Sequence, residues 1–337
     1  MKAKIVAIIV GTLVLSASLA LAQAKYGTNG VSFLGIGVGP DAVGMGGAVV
    51  SYKQDASALY WNPGALGAKP KNEVAFSKNY WLLGTQYDWV GVTLAVSDVS
   101  VIGLQFGSLY YGEINVTTPE QPEGTGEKFD ARDLYMGLTY SQALTDQFSM
   151  GGTVKYIRSQ IWHEVANSFA VDLGLLYNSQ WNGLKLGMSV SNFGLDIQYE
   201  GKDIYRSYDY DQGSTGNDPK IAALLKTDQW QLPIFFRVGV SMDVYRDDMN
   251  ALVISTDALR PSNHNESLNV GTEYVWNDMF ALRAGYKDMF RGETDEGFAA
   301  GFGISYPIMG YRVKFDGSYS QRDILDDVMI YSVSIQF

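Results

Sequence analysis

Cysteine is absent from this sequence. Its absence excludes disulfides, thiolate metal centres and cysteine nucleophiles. It also excludes a lipid-anchored lipoprotein, because no thiol is available to carry the acyl chains. After the first apolar stretch, Ile5 to Leu15, no run is long enough to cross a bilayer as a helix, so a helical membrane bundle is excluded too. Basic residues are in deficit, with 25 lysines and arginines against 36 acids and a net charge of −11. A nucleic-acid partner does not fit, since phosphates would be repelled. There are two histidines and nine prolines.

The first residues carry an export signal. Lys2 and Lys4 precede the apolar run, and Ala20-Leu21-Ala22 sets small residues at the −3 and −1 positions of a cleavage site, with a second possible cut after Ala24. Residues 1–22 are therefore expected to be a signal peptide. Their removal takes away two lysines and no acid, which moves the net charge from −11 to −13.

What the chain does have is glycine and aromatic side chains: 37 Gly, 22 Tyr and 7 Trp. These sit in segments that alternate with period two, as a strand with one lipid face and one lumen face requires. Tyr311, Val313, Phe315 and Tyr319 alternate with Arg312, Lys314, Asp316 and Ser318. Phe280, Leu282, Ala284 and Tyr286 oppose Ala281, Arg283, Gly285 and Lys287. Candidate strands fall near 73–81, 87–97, 99–111, 131–142, 147–160, 168–178, 183–193, 231–243, 250–258, 266–276, 279–289, 297–306, 311–320 and 328–337. The even total, about 14, suits a bacterial barrel. Longer connections (112–130, 161–167, 194–230, 259–265, 290–296, 321–327) are expected on one side and short turns on the other, the outer and periplasmic sides of a barrel. Tyr110, Tyr111, Trp162, Tyr177, Trp181, Trp276, Tyr306 and Tyr311 near strand ends suit interfacial girdles. The terminal Phe337 resembles a barrel-assembly signal. The expected fold is thus all-β, a transmembrane antiparallel β-barrel of about 14 strands over residues 71–337 in a Gram-negative-type outer membrane, with lipid as its surroundings.

Residues 23–70 do not alternate and are expected to form a hatch or plug. A glycine-rich run includes Gly35, Gly37 and Gly39, but it has no βαβ unit behind it, which argues against a nucleotide cradle. A short helix is expected from Asp55 to Trp61, broken at Asn62-Pro63-Gly64. Gly44-Met45-Gly46-Gly47-Ala48, Asp55-Ala56-Ser57-Ala58 and Tyr60-Trp61-Asn62-Pro63-Gly64-Ala65-Leu66 together resemble the PorV/PorQ family, which is related to FadL-type barrels. The family's usual Asn-Pro-Ala-Gly stands here as Asn62-Pro63-Gly64-Ala65, and an arginine often found before the glycine run is missing around Asp41 and Ala42. The resemblance implies a 14-stranded outer-membrane barrel with an internal hatch, whose motif residues are Gly44, Met45, Gly46, Gly47, Asp55, Trp61, Asn62 and Pro63. It implies a role in type IX secretion, with secreted cargo or secretion-machine proteins as partners. The FadL alternative is uptake of hydrophobic solutes such as long-chain fatty acids, with a hydrophobic small molecule bound. Composition and periodicity do not separate the two.

No cofactor or metal is expected, and an enzyme is not. Ser159, His163 and Asn167 could form a hydrolase-like set only if a strand extends through them. The lumen face mixes Arg237, Arg283, Lys287, Arg312 and Lys314 with Asp172, Asp243, Glu273 and Asp316, and is expected to pair internally against the hatch. The tyrosines and acids of 194–230 and the acids of 112–130 are candidates for partner contacts, and no EF-hand spacing occurs among them.

Overall fold

The computed structural model describes residues 27–179, 181–209, 221–292 and 294–337. The expected signal peptide lies outside the described residues, as do Tyr210, Asp211 and Asp218 of the 194–230 segment.

Alternation becomes strand wherever one face can meet lipid and the other a packed lumen. Seven strands precede the long outer segment: β1 (Glu73–Tyr80), β2 (Gln86–Ser97), β3 (Ser100–Asn115), β4 (Lys128–Ala143), β5 (Phe148–Ile161), β6 (Glu164–Asn178) and β7 (Lys185–Gly194). Four short strands lie within that segment: β8 (Ile197–Glu200), β9 (Tyr205–Tyr208), β10 (Ile221–Leu224) and β11 (Gln229–Trp230). Seven more complete the wall: β12 (Phe235–Arg246), β13 (Asn250–Pro261), β14 (Ser267–Trp276), β15 (Phe280–Met289), β16 (Glu296–Ile308), β17 (Tyr311–Arg322) and β18 (Val328–Gln336). Each wall strand pairs antiparallel with its neighbours, β7 bridges β6 and β12, and β1 pairs with β18, so the 14 wall strands close on themselves.

The burial pattern is inverted relative to a water-soluble barrel. Leu138, Val154, Phe169, Leu173, Leu282 and Phe302 are exposed on the outer face, while Thr139, Thr153, Lys155, Asp172, Arg283 and Asp316 are buried inside. Water would not tolerate so continuous an apolar face, but lipid requires one. Tyr177, Trp181, Trp276, Tyr306 and Tyr311 ring the short-turn end, all of them exposed.

Two loop expectations need correction. The connection expected at 161–167 is a tight turn through Trp162 and His163, with Ile161 paired to Glu164 and Trp162 at φ 52°. The connection expected at 112–130 shrinks, because β3 runs to Asn115 and β4 begins at Lys128. In both places the hairpin rises past the lipid. Both of its faces are then wet, so alternation fades while backbone pairing continues.

Residues 31–66 lie inside the wall, and most of their side chains are buried. The segment is built from short helical turns: 3₁₀ at Ser32–Gly35 and Pro63–Ala65, α at Pro40–Val43 and Ala58–Trp61. It enters beside Gln142 at the short-turn end and finishes at the outer mouth. There Gly30 N donates to Gln231 O, and Asn29 Nδ2 donates to Ser262 Oγ at 2.8 Å. The outer segment folds back over that mouth, burying Ile197 and Leu232.

Candidate functional site

The lumen is occupied by the interface between residues 31–66 and the wall, and the residues of the sequence motif form its joints. Gly46 has φ 66° and presses on the backbone of Tyr286, where any side chain would collide. Met45 lies against Gly271 and Gly285, and a Cβ on Gly285 would come within 2.2 Å of the Met45 carbonyl carbon. A Cβ on Gly64 would likewise come within 2.3 Å of the Gly174 carbonyl oxygen. Asn62 is the polar pin. Its Nδ2 donates to Val50 O (2.7 Å) and Leu175 O (2.9 Å), and its Oδ1 accepts from Gly64 N (3.1 Å). Trp61 Nε1 donates to Val38 O at 2.8 Å, Pro63 packs on Gly151 and Gly174, and Asp55 caps the turn at Ser57 N (3.0 Å).

Charge supplies the second set of joints. Lys53 Nζ lies 2.9 Å from Asp41 and 3.6 Å from Glu273 of β14. Arg283 of β15 binds Glu273 and, at 2.7 Å, Asp316 of β17, while Lys314 reaches both Asp41 and Asp316 at 3.3 Å. Tyr52 OH donates to Glu273. Each charge in the cluster therefore has at least one opposite partner, as burial demands. Elsewhere Asp257 of β13 accepts from Val49 N (2.7 Å) and Val50 N (2.9 Å). Asp172 of β6 pairs with Lys155 at 2.6 Å, and at the β6–β7 bulge it accepts from Asn192 N. Much of the mixed-sign lumen face is thus paired, part of it to the N-terminal segment, while Arg237 donates to Ser191 and Arg312 to the Asp278 carbonyl oxygen instead of to a carboxylate.

Sequence reasoning pointed to the wall half of this network and missed Lys53, Tyr52 and Asp41. Nothing local marked them, since Lys53 is followed by Gln54 and Asp55 and reads as part of an ordinary polar turn.

The segment leaves a cavity on each side. Above it, toward the outer loops, a small space is lined by Gly46, Gly47, Trp61, Asn79 and Trp81, and the Asn79 amide has no hydrogen-bond partner among the described residues. Arg322 stacks over Trp81 at 4.8 Å from the ring centre. Below it, at the short-turn end, a cavity of about 350 Å³ is bounded by Tyr52, Lys53, Lys71, Lys185, Arg312 and Lys314 among others. That volume falls within the range of small-molecule pockets.

The hydrolase-like set does not assemble. Ser159 Oγ donates to Asp133 in the lumen, and Tyr199 OH lies within hydrogen-bond distance of it (2.7 Å). His163 Nδ1 sits 2.7 Å from Asp203 in the outer segment, and Asn167 accepts from Tyr156 OH. Among the described residues no group of three or more histidine or acidic side chains could hold a metal ion.

No family model matches the chain, and no curated protein does. Solved structures do match. The toluene transporter TbuX of Ralstonia pickettii aligns with TM-score 0.56 at 13% identity, covering 89% of this chain and 98% of its own. The P. putida toluene transporter TodX gives TM-score 0.57 at 13% identity with the same coverage, 89% and 98%. A Pseudomonas aeruginosa FadL homologue gives 0.52 at 13%, covering 87% and 96%. The chain has the fold of FadL-type outer-membrane barrels. At such identity the likeness is one of fold, and it agrees with the apolar outer face in placing the chain in the outer membrane.

Proposed function

We propose that this chain is a FadL-like outer-membrane barrel for the uptake of hydrophobic small molecules, with residues 23–70 as its hatch. The observation that carries this reading is the filled lumen: a segment jointed to the wall by close backbone contacts and ion pairs, with a cavity on either side. The coverage of 89% supports it, being more than residues 71–337 alone could supply. In this reading Trp61, Trp81 and the Gly46-Gly47 turn meet the solute from the outer side, and Asn62, Lys53 and Asp41 hold the hatch in place. The chain is then a transporter and not an enzyme, in keeping with the separated Ser159, His163 and Asn167.

Secreted cargo and secretion-machine proteins, which the PorV/PorQ resemblance implies, are the competing partners. The three aligned structures described above lend that role no support. Expression in a host stripped of its own hydrophobic-solute barrel, with uptake of a long-chain fatty acid and of a monoaromatic hydrocarbon measured, separates the two. Saturable uptake of either above the empty-vector rate is expected. Uptake of neither, with a secreted protein co-purifying in stoichiometric amount, would replace transport by secretion.

A further inference from the structure

The cavity at the short-turn end has a charge that its surroundings do not explain. The protein as a whole is acidic, yet this cavity is lined by eight lysine and arginine side chains (Lys53, Lys69, Lys71, Lys185, Arg246, Arg283, Arg312, Lys314) against four carboxylates (Asp55, Glu73, Glu273, Asp278). Part of that excess is accounted for. Lys53, Arg283 and Lys314 belong to the ion-pair cluster around Asp41, and Arg246 pairs with Asp243 at 2.8 Å. Arg312 donates to the Asp278 carbonyl oxygen.

Three lysines are left over. The side chains of Lys69, Lys71 and Lys185 form no ion pair among the described residues; Lys185 alone makes weaker contacts, to Gln54 at 3.5 Å and over the Tyr52 ring at 5.7 Å. Glu273 cannot serve them, because it is already held by Lys53, Arg283 and Tyr52. Lys71 is half-buried, and burial followed by the nearby positive charge lowers its pKa despite Asp55 and Glu73 on the same wall. Like charges collected in a concave, partly desolvated space raise the local concentration of counter-ions. Lysine ammonium groups suit phosphate oxygens as compact point charges.

We infer that this cavity is a binding site for a phosphate group, presented to the periplasmic end of the barrel and held by Lys69, Lys71 and Lys185. The site is independent of the uptake reading, because it lies below the hatch and does not depend on an apolar solute. Two sources could supply the same chemistry: a soluble phosphate compound, or the headgroup of a phospholipid from the inner leaflet.

The test uses the full barrel in nanodiscs of zwitterionic lipid at low ionic strength, where such charges are least screened. Inorganic pyrophosphate and a short-chain phosphatidic acid are titrated separately by calorimetry. Saturable binding of pyrophosphate assigns a soluble ligand; saturation by the phosphatidic acid alone assigns a headgroup. In either case the triple variant Lys69→Gln, Lys71→Gln, Lys185→Gln should bind about tenfold more weakly, roughly 1.4 kcal/mol. Lys128→Gln, far away on the outer hairpin, should bind as the parent does. Lys69→Gln alone keeps the question open to measurement if the triple variant does not fold, since Lys69 is exposed and outside the ion-pair cluster; it should bind measurably more weakly. Saturation by neither probe, or binding unchanged in the variants, would overturn the site.

Discussion

Asn62 Nδ2 donates to Leu175 O at 2.9 Å, fastening the inner segment to β6. The same amide binds Val50 and Gly64. Asn62→Ala should leave those buried groups without partners, at about 1–3 kcal/mol for each. Amide exchange in residues 50–66 should quicken, with the wall strands unchanged. Equal exchange in parent and variant would refute the role of Asn62 as the pin.

Lys53 is the one cation of the inner segment in the Asp41 cluster, so Lys53→Met should cost more than an average core substitution. Removing one partner leaves Asp41 and Glu273 with less compensation, and such losses typically cost about 3–5 kcal/mol. Limited proteolysis should cut the inner segment of the variant under conditions that spare the parent.

Asp41 ties the inner segment to Lys314 of β17 as well as to Lys53. Asp41→Asn removes the charge that both lysines share, so the inner segment should become more open to limited proteolysis than in the parent. Equal cleavage in parent and variant would show that the remaining joints hold the segment without it.

Gly285→Leu tests whether the segment blocks the lumen. The new side chain would occupy the space of the Met45 and Gly46 backbone, so segment and wall could no longer touch there. The outer wall should still form, and single-barrel conductance in a planar bilayer should rise above the parent's. Conductance equal to the parent's would mean that the lumen is closed by something else.

The wall was legible in the sequence because lipid on one side and packed polar groups on the other impose a two-residue rhythm, as in Tyr311 to Ser320. The hairpin at Ile161–Glu164 was not legible, since above the lipid that rhythm has no cause and only backbone register carries the strand on. The motif residues Gly46 and Asn62 were marked by the family resemblance. Their partners, Tyr286 and Leu175, were not, because contacts between residues so distant in sequence are settled only once the wall has closed. The Lys53–Asp41–Glu273 cluster was half visible for the same reason: alternation reports lumen-facing charges on strands and says nothing of charges on an irregular segment.

An even number of crossings should bring both chain ends back to one compartment, and the inner segment undoes that parity. It runs from Lys71 at the short-turn end to Asn29 beside Ser262 at the outer mouth, whereas β18 ends at the short-turn end. Asn29 and Phe337 therefore face different aqueous phases. Because the protein has no cysteine of its own, Thr28→Cys and a cysteine added after Phe337 can report this directly. On intact cells, a membrane-impermeant maleimide should label the first and spare the second. A tag inserted beside Thr28 should then be reached from the cell surface, and one after Phe337 only from within the envelope.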